Sequence, residues 1–354
     1  MAEPLRVGIV GCGFQGRLHA EILSSLQGVQ VAAVCDRDAA RAAEVASEFG
    51  VAGVHGDYRA LLDAGGYDLV TVCTMPDTHR QITLDALECG ANVLCEKPFA
   101  LDASQALDMV SAAERAGLML SVGFNMRFMD GALALRRFVD EGLLGTPICG
   151  RGWMLAGDVP WWGKHYIKAI SGGGALAATA VHVLDLATWL AGSPRPVTAT
   201  ASSARVFPRK RGKGAPGPEA REAFDVEDML FGHVRFEGGF WLTLEGSWVW
   251  DEPGWNYSLD LVGDAGQARM DPLRLAAERD GAPVDVTGAA SGGMDFPPSV
   301  ARELADVVAA IREGREPLVR AREALVVQAI TDALYRSADL GREVDVVVPE
   351  LAAS

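Results

Sequence analysis

Gly11, Gly13 and Gly16 stand in G-x-G-x-x-G spacing at the end of a short apolar run, Leu5-Arg-Val-Gly-Ile-Val, and an amphipathic segment follows over 18–26. A second apolar run, Val29–Cys35, ends in Asp36, twenty residues beyond Gly16. Each part has a mechanical job. The first glycine makes a tight strand-to-helix turn, the second lets backbone approach a pyrophosphate, and the third lets helix and strand pack closely. The helix that begins at Phe14 and Gln15 turns free N–H groups and a partial positive charge towards phosphates. Asp36 would accept hydrogen bonds from a ribose diol and repel a 2′-phosphate, which favours NAD. Arg37 beside it could clamp a 2′-phosphate if Asp36 turned aside, so NADP stays as the alternative. Glycine spacing alone means little in a chain with 40 glycines. Strand, helix and carboxylate in register make the assignment specific.

Other polar groups fall where strands should end. Thr74-Met-Pro76-Asp-Thr-His79 follows the apolar run 69–73, Cys95-Glu96-Lys97-Pro98 closes the run 92–95, and Gly123-Phe-Asn125-Met-Arg127-Phe follows 119–122. Pro98 biases Lys97 towards an extended backbone. A lysine desolvated beside a cationic ring would have its pKa lowered and suit acid–base work; the other reading is a solvated side chain. His182 and Asp185 share a strongly apolar helix over 175–190, opened by Gly172-Gly-Gly. A lone histidine there is either an acid–base group or a satisfied core residue. Trp161, Trp162, His165 and Tyr166 precede it. Aromatic faces stack on the apolar faces of sugar rings while polar tips fix hydroxyls, which makes Trp162 and Tyr166 candidates for substrate contact. Trp248, Trp250 and Trp255 read as sheet or subunit-interface packing.

Positioning these groups falls to two kinds of architecture. Apolar runs at 7–10, 31–34, 69–73, 92–95 and 119–122 alternate with helix patterns at 39–49, 57–62, 78–89 and 104–116. Short apolar strands separated by helices imply a parallel sheet covered on both faces. Right-handed crossovers give a doubly wound Rossmann domain over 1–123, with ligands at the carboxyl ends of its strands. From 124 to 354 the texture changes: a helix at 131–141, the apolar helix, then period-two runs at 198–206, 229–236, 240–248 and 258–262. These runs, joined by glycine turns, read as an antiparallel sheet. The fold class is therefore α/β, with a C-terminal α/β domain built on a large, mostly antiparallel open sheet. The stretch 205–218, rich in Lys, Arg, Gly and Pro, is a surface loop or, on a sharper reading, a substrate lid. Helices at 300–313 and 321–338 follow.

Composition narrows the classes. A chain of 354 residues suits about two domains, and 49% hydrophobic with 22% charged residues is ordinary for a globular protein. No apolar run is read as a membrane span and the N-terminus lacks signal-peptide character, so the expected location is cytoplasmic. Six cysteines without C-x-x-C spacing argue against a disulfide framework or structural zinc. A formal charge of -15 argues against nucleic acid as a partner.

Taken together, the glycine motif, the Thr74, Glu-Lys-Pro and Asn125 segments, the Gly172-Gly-Gly-Ala-Leu helix opening, Asp225-Val-Glu-Asp228 and the tail from Asp332-Ala-Leu-Tyr335 to Gly341 resemble the family of glucose–fructose oxidoreductase, inositol 2-dehydrogenase and rhizopine-catabolism dehydrogenases (Gfo/Idh/MocA). The resemblance spans roughly 5–345. It implies reversible hydride transfer between a nicotinamide and a ring carbinol of a sugar, amino sugar or cyclitol. It also implies a homodimer or homotetramer built on one sheet face. By position, Lys97 contacts the reacting hydroxyl and His182 is the acid–base residue. Gly11, Gly13, Phe14, Gln15, Gly16, Asp36, Arg37, Thr74, Pro76, His79, Glu96, Lys97 and Asn125 would hold the cofactor. Lys97, Arg127, Trp162, Tyr166, Thr179 and His182 would meet the substrate. The alternative for Arg127 is an interdomain salt bridge, and His79 could instead be structural.

One departure matters. The family commonly carries Asp four residues before this histidine and Gly two before it; here Ala178 and Ala180 stand there. A carboxylate at i−4 shares a helix face with His182 and could orient it. Thr179 or Asp185 could take that role, Asp185 being either a substrate-facing carboxylate or a structural helix contact. The substitution keeps two rivals open. One is a glycosidase that oxidises and eliminates on a tightly bound NAD, the other a non-catalytic sensor of NAD and sugar.

Overall fold

The structure is a computed structural model and describes residues 3–161, 163–207, 217–250, 254–288 and 296–350. Trp162 and most of the basic loop, 208–216, lie outside the described residues. Two compact units share the chain: the first holds residues up to 124 together with 297–325, the second 125–296 and 326–349.

In the first unit β1 (Leu5–Val10), α1 (Phe14–Ser25), β2 (Val29–Cys35), α2 (Ala39–Phe49), β3 (Gly53–His55), α3 (Tyr58–Ala64), β4 (Leu69–Val72), α4 (Pro76–Glu88), β5 (Asn92–Cys95), α5 (Ala103–Ala116) and β6 (Leu120–Val122) alternate along the chain. The strands form one sheet in the order β3-β2-β1-β4-β5-β6, parallel throughout. Strand order reverses between β1 and β4, and ligands bind at such switch points, outside the carboxyl ends of the strands. Helix starts are written in the sequence. Asp38, Asp57 and Asp102 cap α2, α3 and α5, each carboxylate accepting from backbone N–H two or three residues on.

The second unit opens with a 3-10 turn, Asn125–Phe128, then α6 (Asp130–Asp140), β7 (Pro147–Ala156), α7 (Lys168–Ser171), a π-helical turn Ala175–Ala180, and α8 (Val181–Leu190). It continues with β8 (Pro196–Ala204), α9 (Pro218–Glu222), β9 (Met229–Phe236), β10 (Trp241–Ser247), β11 (Trp255–Gly263), β12 (Gly266–Arg269), β13 (Arg274–Arg279) and β14 (Ala282–Asp285). Next come α10 (Phe296–Glu313), α11 (Ala321–Leu340) and β15 (Val344–Asp345). α10 after its first residue and the start of α11 belong to the first unit. The nine strands run β14-β13-β12-β11-β7-β10-β9-β8-β15. Within this sheet only the β7–β10 pairing is parallel among the described strands.

Glycines let helices sit close on this sheet. A Cβ on Gly152 of β7 would lie 2.5 Å from Val183 Cγ1 of α8, and one on Gly246 of β10 would lie 3.0 Å from Ala180 Cβ. On Gly232 of β9 it would meet Leu334 of α11 at 2.7 Å. The stretch 168–190 meets the length and hydropathy of a membrane span, which the sequence was not expected to contain. Every residue of α8 is nevertheless buried inside the fold, so it is a core helix.

Candidate functional site

The glycine turn fits a dinucleotide for reasons visible at each position. Gly11 has φ +95°, and a Cβ there would sit 2.5 Å from the Cys73 carbonyl oxygen. At Gly16 it would lie 1.7 Å from the Gly11 carbonyl oxygen, so α1 could not approach β1. At Gly13 nothing lies within 4 Å. That glycine clears space outside the protein, where a pyrophosphate would approach. Gly13 is also the N-cap of α1 and offers no side-chain cap, and the first turn holds no acidic residue. The N–H groups left without a side-chain cap are suited to an anion. Phe14, at this turn, is 70% exposed.

Asp36 follows β2 with its carboxylate held. Cys12 N–H donates to Oδ2 at 2.8 Å, Asp38 N–H to Oδ1 at 2.9 Å, and Arg41 Nη1 to Oδ2 at 3.3 Å. Arg41, not anticipated from sequence, thus braces the acid expected to meet a ribose, while Arg37 is exposed.

Beneath the turn lies a buried polar cluster. Gln15 Nε2 donates to Glu96 Oε1 at 2.9 Å, and His19 Nε2 lies 3.3 Å from the same oxygen. His19 Nδ1 is 3.3 Å from Cys73 Sγ. Burial opposes charge on Glu96, but His19, Lys97 and Gln15 outweigh it and hold its pKa near 2. Burial likewise opposes protonation of His19, and Cys73 and Glu96 reverse this and raise its pKa well above 6.5. Gly123 makes room for this carboxylate, since a Cβ there would stand 2.9 Å from it. Glu96 therefore supports the glycine turn from below. His19 was missed in the sequence, although it falls on the buried face of α1 with Gly16, Ala20 and Leu23.

Lys97 follows directly, half-buried, in a turn with a cis bond to Pro98. Burial of its ammonium lowers its pKa, and Glu96 opposes that shift. His79 holds the turn. Its Nδ1 lies 2.9 Å from the Pro98 carbonyl oxygen and its Nε2 3.1 Å from that of Thr74, and the ring is wholly buried. Both ring nitrogens of His79 thus face backbone carbonyls, as its structural reading has it. Thr74 Oγ1 accepts from Thr78 Oγ1 at 2.8 Å, and Pro76 opens α4.

In the second unit, His182 lies in the first turn of α8, immediately after the π-helical turn, and is 7% exposed. Single π turns recur at functional sites because they re-aim the residues that follow. Asp185 and Arg127 form a bidentate ion pair, with Nε–Oδ2 at 2.8 Å and Nη2–Oδ1 at 2.6 Å. Both side chains are buried. The pair ties the 3-10 turn, which also buries Asn125, to α8. Of the readings open for these two residues, the geometry is that of a structural contact, with Asp185 paired to Arg127 through both carboxylate oxygens.

Thr179 is likewise engaged within the protein. Its hydroxyl donates to the Ala175 carbonyl at 2.6 Å and accepts from Trp248 Nε1 at 3.1 Å. Ala178 joins a buried apolar cluster with Val159, Ala175, Phe207, Phe224, Val226 and Trp248, against which Trp161 and Tyr166 pack. Tyr166 leans on Trp161 with centroids 5.4 Å apart. Where the family resemblance led to the expectation of a carboxylate, this chain therefore has an aromatic-walled apolar patch. Trp248 is fully buried core.

Comparison with known proteins agrees with the architecture. Residues 5–124 match the family described as "Oxidoreductase family, NAD-binding Rossmann fold", and 132–269 match the GFO/IDH/MocA C-terminal domain. The chain belongs to the GFO/IDH/MocA oxidoreductase family. D-Glucoside 3-dehydrogenase of Escherichia coli is 30% identical over 97% of this chain and 98% of its own length. D-Apiose dehydrogenase of Paraburkholderia graminis is also 30% identical, over 95% of this chain and 88% of its own. Among solved structures, levoglucosan dehydrogenase in complex with NADH and L-sorbose superposes with a TM-score of 0.85 at 26% identity, covering 97% of this chain and 99% of that one. NAD is the cofactor given by the family description, and the relatives solved as complexes hold NAD or NADH.

Proposed function

We propose that this NAD-dependent oxidoreductase moves hydride between the nicotinamide and a ring carbinol of a sugar, amino sugar or cyclitol. The observation that carries the reading is the glycine turn cleared for a pyrophosphate, followed on the same sheet by a buried Glu96-Lys97-Pro98 turn whose lysine is desolvated. Relatives named for glucoside, apiose and inositol oxidation support the substrate class.

Backbone N–H groups at Gly13, Phe14 and Gln15 would hold the pyrophosphate, and Asp36 the adenosine ribose. When bound, the nicotinamide supplies a two-electron hydride acceptor or donor, which no side chain provides. Lys97, its pKa lowered by burial, binds the carbinol oxygen and shares its proton. His182 in its neutral form accepts the proton that the hydroxyl releases, and in its charged form returns it. With Ala178 apolar, no i−4 carboxylate assists it.

The test is absorbance at 340 nm with NAD and a panel of sugars, amino sugars and cyclitols. Turnover with one class is expected, and Lys97→Met or His182→Ala should lower kcat by about 10²- to 10⁴-fold. Copurifying NAD with aglycone release and no net reduction would establish the redox-elimination glycosidase in its place.

Two further readings belong to this proposal. The chain is a homodimer or homotetramer joined through the sheet face that carries Trp241 beside His233 and Phe231 beside Trp250. Trp241 is 38% and Trp250 41% exposed, which supports that face as an interface; light scattering tests it. A cytoplasmic location is supported by six free thiols, three of them buried; fractionation of the source cell tests that.

A further inference from the structure

The helix that presents His182 begins at Gly174, and its first N–H groups need acceptors. Glu227 and Tyr335, from two separate elements, supply them. Gly174 N–H donates to Glu227 Oε2 at 2.9 Å and Leu176 N–H to Glu227 Oε1 at 3.0 Å. Ala175 N–H donates to the Glu227 carbonyl at 3.0 Å. Ala177 N–H donates to Tyr335 Oη at 3.1 Å, and that hydroxyl donates on to Glu227 Oε1 at 2.9 Å. Four successive amides thus end on two residues, Glu227 just before β9 and Tyr335 in the second half of α11.

Gly173 and Gly174 of the Gly172-Gly-Gly run are explained by the same contact. A Cβ on Gly173 would lie 2.0 Å from Tyr335 Oη, and one on Gly174 would lie 1.8 Å from the Glu227 carbonyl oxygen. Neither clash is relieved by a side-chain rotation alone, because the first is a fixed ring and the second is backbone. A carboxylate at a helix start also favours the dipole. Burial pushes the Glu227 carboxyl up, while the N–H groups of Leu176 and Gly174 and the Tyr335 hydroxyl oppose that shift.

At the other end of the π-helical turn, Trp248 and Ala175 hold Thr179. A wide π turn would otherwise slide easily towards an α register, rotating every residue beyond it, His182 first. We infer that Glu227 and Tyr335 are positioning residues: they fix the register of the π-helical turn and so the aim of the His182 imidazole, the task left vacant where Ala178 replaces a carboxylate. This rests on the acid–base reading of His182 given above.

Tyr335→Phe keeps the ring against Gly173 and removes the oxygen. Measured on the holoenzyme with its best panel substrate, it should lower kcat about tenfold to a hundredfold, leave the KM for NAD unchanged and shift the pH profile of kcat. In a His182→Ala background the same substitution should have no further effect on kcat. Glu227→Gln, which keeps the shape and one of the two acceptor oxygens, should retain more activity than Glu227→Ala. Equal loss of kcat in both backgrounds, or no loss in either, overturns the inference. The ring signal of His182 in ¹³C-labelled protein, assigned by its disappearance in His182→Ala, gives a readout independent of turnover. Its titration midpoint should move in Tyr335→Phe while that of His233 stays, and an unmoved His182 overturns the clamp. If His182→Ala itself keeps wild-type kcat, the acid–base reading fails, and the ring titration still decides whether the clamp sets the histidine's environment.

Discussion

Arg127 and Asp185 meet through two parallel hydrogen bonds of 2.8 and 2.6 Å, with side chains 1% and 0% exposed. The guanidinium also lies 5.3 Å from the centre of the Trp189 ring. A carboxylate so engaged, three residues after His182, is part of the frame that carries the histidine. Desolvating two charges is costly, and their attraction offsets that cost only while both are present.

Removing one partner should therefore hurt more than removing both. Arg127→Met takes the guanidinium away from a buried carboxylate and should cost about 3–5 kcal/mol, whereas Arg127→Met combined with Asp185→Leu should recover much of that. Urea unfolding of the three proteins measures this. A double variant as unstable as the single one would mean that the pair has a further indispensable contact.

The His19–Glu96 contact predicts a pH window. Glu96 has a folded pKa of about 2 against an ordinary 4.5, so its contribution is fully present above 4.5 and is lost as pH falls through 2. His19 is raised well above 6.5, so its contribution is fully present below 6.5 and is lost as pH rises through the raised value. Both contributions are complete between those two ordinary values. His19→Gln should cost most in that window, at most about 3 kcal/mol, since Lys97 and Gln15 share in the Glu96 shift. Unfolding at pH 5.5 and at pH 9 compares the two, and an equal cost at both would show that the contact carries no charge.

Why these groups are hard to find in a sequence is instructive. The Rossmann half announced itself because five of its six strands are short apolar runs, β3 with Gly-Val-His being the exception, and its helices start at an aspartate, at the glycine turn or, for α4, at Pro76, all of which act through local geometry. β7 did not. Its Gly150 and Gly152 break the strand pattern, and they are there because Leu242, Leu261 and Val183 fill the space a side chain would need. The π-helical turn was equally hidden, since Ala175–Ala180 is a plain helical composition and its register is set by Glu227, Tyr335 and Trp248 from distant parts of the chain. Asp185 and Thr179 looked available for chemistry for the same reason. Only tertiary contact reveals that their oxygens are already engaged.

Asp36 should control cofactor choice. Its carboxylate is held by Cys12 N–H, Asp38 N–H and Arg41, a fixed negative charge where a 2′-phosphate would lie. Asp36→Ala should raise the KM for NAD and, with Arg37 and Arg41 alongside, raise kcat/KM for NADP. Steady-state kinetics with both cofactors decide it. An unchanged NADP/NAD ratio would place the ribose elsewhere.

Gly13 and Gly16 should separate binding from folding. A methyl at Gly16 would stand 1.7 Å from the Gly11 carbonyl oxygen, a backbone atom that cannot yield without moving α1 away from β1. Gly16→Ala should therefore lower the Tm and abolish NAD binding together. At Gly13 a methyl meets no protein atom within 4 Å, so Gly13→Ala should keep the wild-type Tm. It fills only the space through which the pyrophosphate approaches and narrows the backbone's freedom at the N-cap of α1. Its Kd for NAD, read by calorimetry, should rise at least about tenfold, the equivalent of 1.4 kcal/mol. Wild-type affinity in Gly13→Ala would mean that the phosphates do not pass over this glycine, and the cofactor would then have to enter the switch point along another face of the turn.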